Sequence, residues 1–171
     1  FQFDRFICAH AILLALEGIP AIYIHSLLAT KNDHSRVENT GNLRSINRHI
    51  WNHDELELNL GNRESHHRKV LVRLLELIQI RKQQKAFHPN AIMFTLSLGP
   101  GLLGFWRQSL DREQKIFAIF NISNEMRALP IETLNLTIEQ TWIDLIGGGD
   151  FIDRSGTVEL GPYHILWIGN Q

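Results

Sequence analysis

Arg44, Asn47 and Arg48 crowd into one polar loop, and His25 stands directly after an apolar run, Ile19–Ile24. A guanidinium offers several donors in a fixed fork and can grip a phosphate or a carboxylate through two parallel hydrogen bonds. An Asn amide both donates and accepts, and an imidazole can donate to a hydroxyl. Together these groups suit an oxyanion held beside a hydroxyl-rich molecule. Each also has a plainer role. Arg44 and Arg48 can pin the loop through carbonyl or carboxylate contacts, Asn47 can anchor a turn, and His25 can support a neighbour from behind. Asn32 and Asp33, on the same stretch, are equally well explained by turn chemistry.

Other constellations are weaker. His49 and His53 are four apart, and His66 and His67 are adjacent. Yet the first pair lacks the Glu of a zinc-protease helix, adjacent helical residues diverge, and one Cys builds no thiolate site. No metal and no cofactor is expected. The Gly147-Gly148-Gly149 run has no following Lys-Ser/Thr and reads as a tight turn over Gly147–Asp150, not as a phosphate loop. Asn121-Ile122-Ser123 has the glycosylation pattern, with nothing beside it to suggest secretion.

The elements that would carry these groups can be read from periodicity. Phe3–Leu16 is apolar nearly all round and predicts a buried helix, with Gly18 and Pro20 to stop it. Ile19–Ile24 predicts a short strand buried on both faces, as in a parallel sheet, which would place His25 where such strands present their ligands. From His25 to about Gly61 the chain is a long polar connection with one helical turn near Asp54–Leu58, and long ordered connections are usually functional. Glu64–Phe87 predicts an amphipathic helix, capped by Asn62 and closed by Arg81, Lys82 and Lys85. After Pro89 the pattern turns to short strands: Ile92–Leu98, Leu102–Leu110, Lys115–Ile122, Thr141–Leu145, Thr157–Leu160 and Tyr163–Ile168. Turns separate them, so an antiparallel β-sandwich is expected. Trp106, Trp142 and Trp167 lie in its apolar strands and read as core.

Bulk properties exclude several classes. The 171 residues are 44% hydrophobic, enough for one domain or two small ones. Lys and Arg number 17 against 18 Asp and Glu, a net charge of -1 that argues against a nucleic-acid partner. No apolar run is long enough to span a membrane. The lone Cys8 fits a reducing, cytoplasmic setting.

The order of elements is similar to the closing part of an alpha-amylase-type enzyme, the last helix–strand–helix of a (β/α)8 barrel followed by a β-sandwich called domain C. Ala11–Ile24, AILLALEGIPAIYI, resembles the passage into the final barrel strand. Leu27–Asp33, LLATKND, and Asn42–Trp51, NLRSINRHIW, resemble the corresponding loop of the sucrose-phosphorylase branch, which includes glucosylglycerate phosphorylases. Trp142–Leu145 and Gly161–Trp167 resemble the end of domain C. Ser45 and Ile46 after Arg44, and the His25-Ser26 pair, are closer to the glucosylglycerate type.

The resemblance implies an α/β barrel segment over residues 1–87 and an all-β domain over 88–171. It implies a retaining phosphorylase of carbohydrate metabolism, with a glucoside and inorganic phosphate as partners. Arg44 takes the phosphate-holding role, with Asn47, Arg48 and His25 as neighbouring contacts. In that family the Asp nucleophile, the Glu acid/base and the stabilising Asp lie on earlier barrel strands, and no carboxylate here stands in those motifs. No catalytic residue is therefore assigned. The chain starts without Met and is expected to be the carboxy-terminal piece of a longer protein, inactive alone and prone to self-association. The competing reading is a non-catalytic carbohydrate-binding or packing β-module.

Overall fold

The computed structural model describes residues 1–149 and 151–171. Asp150, the last residue of the expected Gly147–Asp150 turn, lies outside them. Two compact units form. One comprises Phe1 with Ala21–Glu76, the other Gln2–Pro20 with Leu77–Gln171. This partition differs from a line drawn at residue 87, because the first helix groups with the strands.

The second unit is built on the sheet. Strands β1 (Ile92–Leu96), β2 (Leu102–Gln108), β3 (Lys115–Asn121), β5 (Trp142–Asp144) and β7 (Ile165–Asn170) form one sheet in the order β1-β2-β3-β7-β5. β4 (Arg127–Pro130) and β6 (Thr157–Leu160) form a second, two-stranded sheet. Every strand pairing is antiparallel. Side chains alternate across a strand, and β3 uses both faces. Phe117 and Ile119 join Leu166 and Ile168 of β7, Trp142 of β5, Leu129 of β4 and Leu160 of β6 in one core. On the opposite face, Phe120 meets Phe105, and Trp167 lies 4.8 Å from Phe87, ring centre to ring centre. Trp142 and Trp167 are buried as expected, whereas Trp106 is only partly so and stacks on the exposed Phe94.

Helix α1 (Phe3–Ala15) belongs to this unit, and its last turn carries no basic residue of its own. Two arginines from elsewhere take its terminal carbonyls. Arg81 donates to Leu14 and Gly18, and the fully buried Arg107 donates to Ala15 and to the His88 carbonyl. Both guanidinium groups also lie over the Phe87 ring, at 5.7 and 5.8 Å. Orphan carbonyls at a helix end need donors, and a cation there also meets the negative end of the helix dipole. The Asn121 side chain ties β3 to the end of β6, donating to the carbonyls of Glu125, Leu160 and Gly161 at 2.7–2.9 Å. So buried an amide cannot take a glycan, and the sequon is a structural knot. In the glycine run, the Ile146 N–H donates to the Asp144 side chain and the Gly149 N–H to its carbonyl.

Two sequence expectations are corrected. Ile19–Ile24 is not a strand: its residues are extended or irregular up to Tyr23, and Ile24 begins the short helix α2 (Ile24–Leu27). Ile19 is 84% exposed. A buried strand needs neighbours to take its N–H and C=O groups, and among the described residues none pairs with it. The α/β part of the expected fold class is therefore not seen, and the described strands are all antiparallel. The helix expected over Glu64–Phe87 is shorter. Helix α5 covers His66–Lys82, and a separate 3-10 turn follows at Lys85–Phe87. Its start is served by Ser65, whose hydroxyl accepts from the His67 N–H, while Asn62 serves the turn before it.

The first unit is a folded connection. Helices α3 (His34–Thr40) and α4 (His53–Gly61), with a 3-10 turn at Leu43–Asn47, occupy most of what reads in sequence as irregular. Each has a side-chain cap. Asp33 accepts from Arg36 N–H, Asn42 from Arg44 N–H, and Asn52 from Asp54 and Glu55 N–H. Gly41, at φ 63°, ends α3 in the left-handed conformation that glycine adopts without strain.

Candidate functional site

Asp33 organises the loop that holds the expected contact residues. Its N–H donates to the Ile46 carbonyl at 2.7 Å. One carboxylate oxygen accepts from the Arg36 N–H and the Ser35 hydroxyl, and the other meets His49 Nδ1 at 2.8 Å. The loop between Asp33 and His49 is thus closed at its base by one side chain. These hydrogen bonds, with that of His49 foremost, hold the Asp33 pKa down at about 2. The carboxylate is ionised throughout the ordinary pH range and fixes a proton on His49 Nδ1.

Aromatic rings back this closure. His49 stands edge-on to Trp51, and Trp51 stands edge-on to His67. The Trp51 N–H donates to the Thr30 hydroxyl at 3.0 Å, and His25 Nδ1 lies 3.2 Å from the same oxygen. His67, buried, contacts the Leu28 carbonyl through Nδ1 at 2.6 Å. Beside it the His66 ring lies 3.8 Å away, centre to centre, and tilted by 39°. Burial and the adjacent His67 push the His66 pKa below its ordinary value.

The four expected residues separate into two groups. Arg44, Asn47 and Arg48 lie together on or beside the 3-10 turn, all exposed. Neither the Arg44 nor the Arg48 side chain has a hydrogen bond or ion pair among the described residues, so both forks are open to an oxyanion. Asn47 is held through its backbone, its carbonyl accepting from the Tyr23 hydroxyl at 3.3 Å. His25 sits apart, half-buried in the Thr30–Trp51 cluster. Its place at the end of a strand is gone with the strand. Sequence reasoning missed the pairing of Asp33 with His49, which joins a residue taken as turn chemistry to one weighed as a metal ligand. Asp33 is a residue type favoured at an N-cap, but the stretch after it, His34–Thr40, is poor in strong helix formers and gave no further signal. The partner sixteen residues on carried none.

No protein-family model matches the chain. It is 30% identical over 164 residues to a glucosylglycerate phosphorylase of Escherichia coli, covering 96% of this chain and 28% of that protein. It is 35% identical over 84 residues to a sucrose phosphorylase of Bifidobacterium adolescentis, covering 49% of this chain and 16% of that one. The chain thus spans less than a third of these relatives. Among solved structures, AmyP in complex with maltose has a TM-score of 0.74 at 14% identity, with 97% of this chain and 34% of that one covered. At that identity the likeness is one of fold.

Proposed function

We propose that the chain, which is similar to glucosylglycerate and sucrose phosphorylases, belongs with them in the alpha-amylase superfamily and forms the carboxy-terminal part of a retaining glucoside phosphorylase. Residues 1–87 then supply the closing segment of the catalytic barrel, and residues 88–171 supply domain C, which stabilises it. In such an enzyme a carboxylate displaces the first leaving group, and phosphate attacks the glucosyl-enzyme from the same face, with net retention. The acceptor side needs a cationic fork for a dianion stripped of water. Arg44 takes that role, with Arg48 and Asn47 contacting phosphate or acceptor hydroxyls. His25 supports the loop from behind, through Thr30. The protein works in the cytoplasm, where the buried Cys8 thiol stays reduced.

The observation that supports this most is the identity to a glucosylglycerate phosphorylase, sustained over nearly the whole chain. The test is release of glucose 1-phosphate by a full-length protein containing this chain, assayed with phosphate and a panel of glucosides. Glucosylglycerate is the expected preference, and the chain alone should release none. Failure of the full-length protein on every glucoside, or turnover by the chain alone, contradicts the proposal.

A further inference from the structure

Arg48 is held on both sides by one residue. Two positions before it, the Ile46 carbonyl accepts from the Asp33 N–H at 2.7 Å, and directly after it His49 Nδ1 meets the Asp33 carboxylate at 2.8 Å. Between these anchors the chain leaves the 3-10 turn. The Arg48 N–H donates to the Ser45 carbonyl at 3.1 Å, and its backbone turns to φ -127° and ψ 46°. The Arg48 side chain has no hydrogen bond or ion pair among the described residues, so its backbone sets where the guanidinium starts.

His49 is fixed from two directions. Its side chain keeps 29% of its surface exposed and that of Asp33 14%, so the bond between them is partly shielded from water. Behind it the imidazole stands edge-on to Trp51, whose N–H is tied to the Thr30 hydroxyl at 3.0 Å. An ionised carboxylate only accepts, so Nδ1 donates whether the ring is neutral or charged. Asp33 caps α3 through one oxygen alone, the one that meets the Arg36 N–H and the Ser35 hydroxyl. The cap does not need the second oxygen, and that oxygen reaches sixteen residues along to the neighbour of Arg48.

We propose that Asp33 and His49 are a positioning pair for Arg48. They touch no substrate, and they fix the backbone from which the guanidinium reaches phosphate. This rests on the phosphorylase reading, and of the two contacts open to Arg48 there it takes the phosphate. A two-point grip on an oxyanion needs a closely placed fork. Misplacing a contact group by about 1 Å can cost about 100-fold in rate. Removing His49 leaves the Ile46 anchor in place, so a smaller loss follows.

The test is phosphorolysis by a full-length protein containing this chain, measured across phosphate concentrations. His49→Ala should raise KM for phosphate about tenfold and leave formation of the glucosyl-enzyme nearly unchanged. His49→Asn puts an amide N–H where Nδ1 stood and should recover most of that loss. His49→Leu fills the space without a donor and should not. In an Arg48→Ala background, His49→Ala should change KM no further, because the group it positions is gone. Equal effects of His49→Ala with and without Arg48 overturn the proposal, as does His49→Asn behaving like His49→Leu. A full-length protein without phosphorolysis, or one whose KM for phosphate is indifferent to Arg48→Ala, refutes the reading beneath the role, and the role with it.

Discussion

Asp33 and His49, sixteen residues apart, meet at 2.8 Å and close the loop that carries Arg44, Asn47 and Arg48. The pair makes the loop a fixed object. It couples the position of the arginines to a carboxylate and an imidazole that need not touch any substrate.

The coupling has a pH signature with a definite sign. The folded Asp33 pKa, about 2, lies below the unfolded value of about 4. Its contribution to stability is therefore complete above the unfolded pKa and is lost as pH falls through the folded one. The unfolding midpoint should drop as the pH is lowered from about 4 to about 2, and Asp33→Asn should flatten that part of the profile. Unfolding curves recorded across this range for both proteins check it, and parallel profiles would contradict it.

Asn121 gives the β unit a single point of failure. Its amide nitrogen satisfies three carbonyls, and its oxygen accepts from the Ser123 N–H and hydroxyl. Asn121→Ala leaves these groups unmatched in a buried place and should cost about 2–3 kcal/mol in denaturant unfolding. A loss within the scatter of surface substitutions would show that water replaces the side chain.

Arg107 is fully buried, and it donates to two main-chain carbonyls. Arg107→Ala removes those bonds and the packing against Phe87, and should destabilise by about 3–5 kcal/mol. Arg107→Lys should recover little, because one ammonium lacks the fork that reaches Ala15 and His88 together. Equal stability of the Lys variant and the unsubstituted protein, by equilibrium unfolding, would contradict this.

The β unit was the legible half. Alternation and turn signals placed six of its strands within a few residues, because short antiparallel strands write their faces into the sequence. β4, Arg127–Pro130, was missed because four residues ending in Pro show no alternation. The reverse error came at Ile19–Ile24, whose composition is that of a buried strand. Composition records what a segment suits, but a strand exists only where a neighbour accepts its hydrogen bonds. In the loop unit, Asp33, Asn42 and Asn52 are caps whose helices are too short to show periodicity. The exposed cluster of Arg44, Asn47 and Arg48 was visible as a local triplet. The ladder of His49, Trp51, His67 and His66 was not, because it is assembled from distant residues.

Apolar exposure in the loop unit leads to a prediction about association. Leu43 is 79% exposed and Leu58 75%, with Tyr23, Ile24 and Ile50 exposed as well. Where such side chains adjoin, they form an apolar patch that favours association. The chain alone should self-associate, with a mass by light scattering that rises with concentration, and Leu43→Glu with Leu58→Glu should reduce it. A sharp monomer at all concentrations would count against this.

The most direct measurement of the central claim is the ratio of phosphorolysis to hydrolysis in a full-length protein bearing Arg44→Ala. Loss of a charge-assisted, bidentate contact to a desolvated dianion costs about 2–4 kcal/mol, roughly 30- to 1,000-fold in rate. Water carries no charge for Arg44 to hold, so hydrolysis of the glucosyl-enzyme should fall far less, and Arg44→Lys should restore only part of the phosphorolysis. The account predicts a ratio that collapses with formation of the glucosyl-enzyme nearly unchanged. Both reactions falling by the same factor would contradict it, and would leave Arg44 as a prop of the loop.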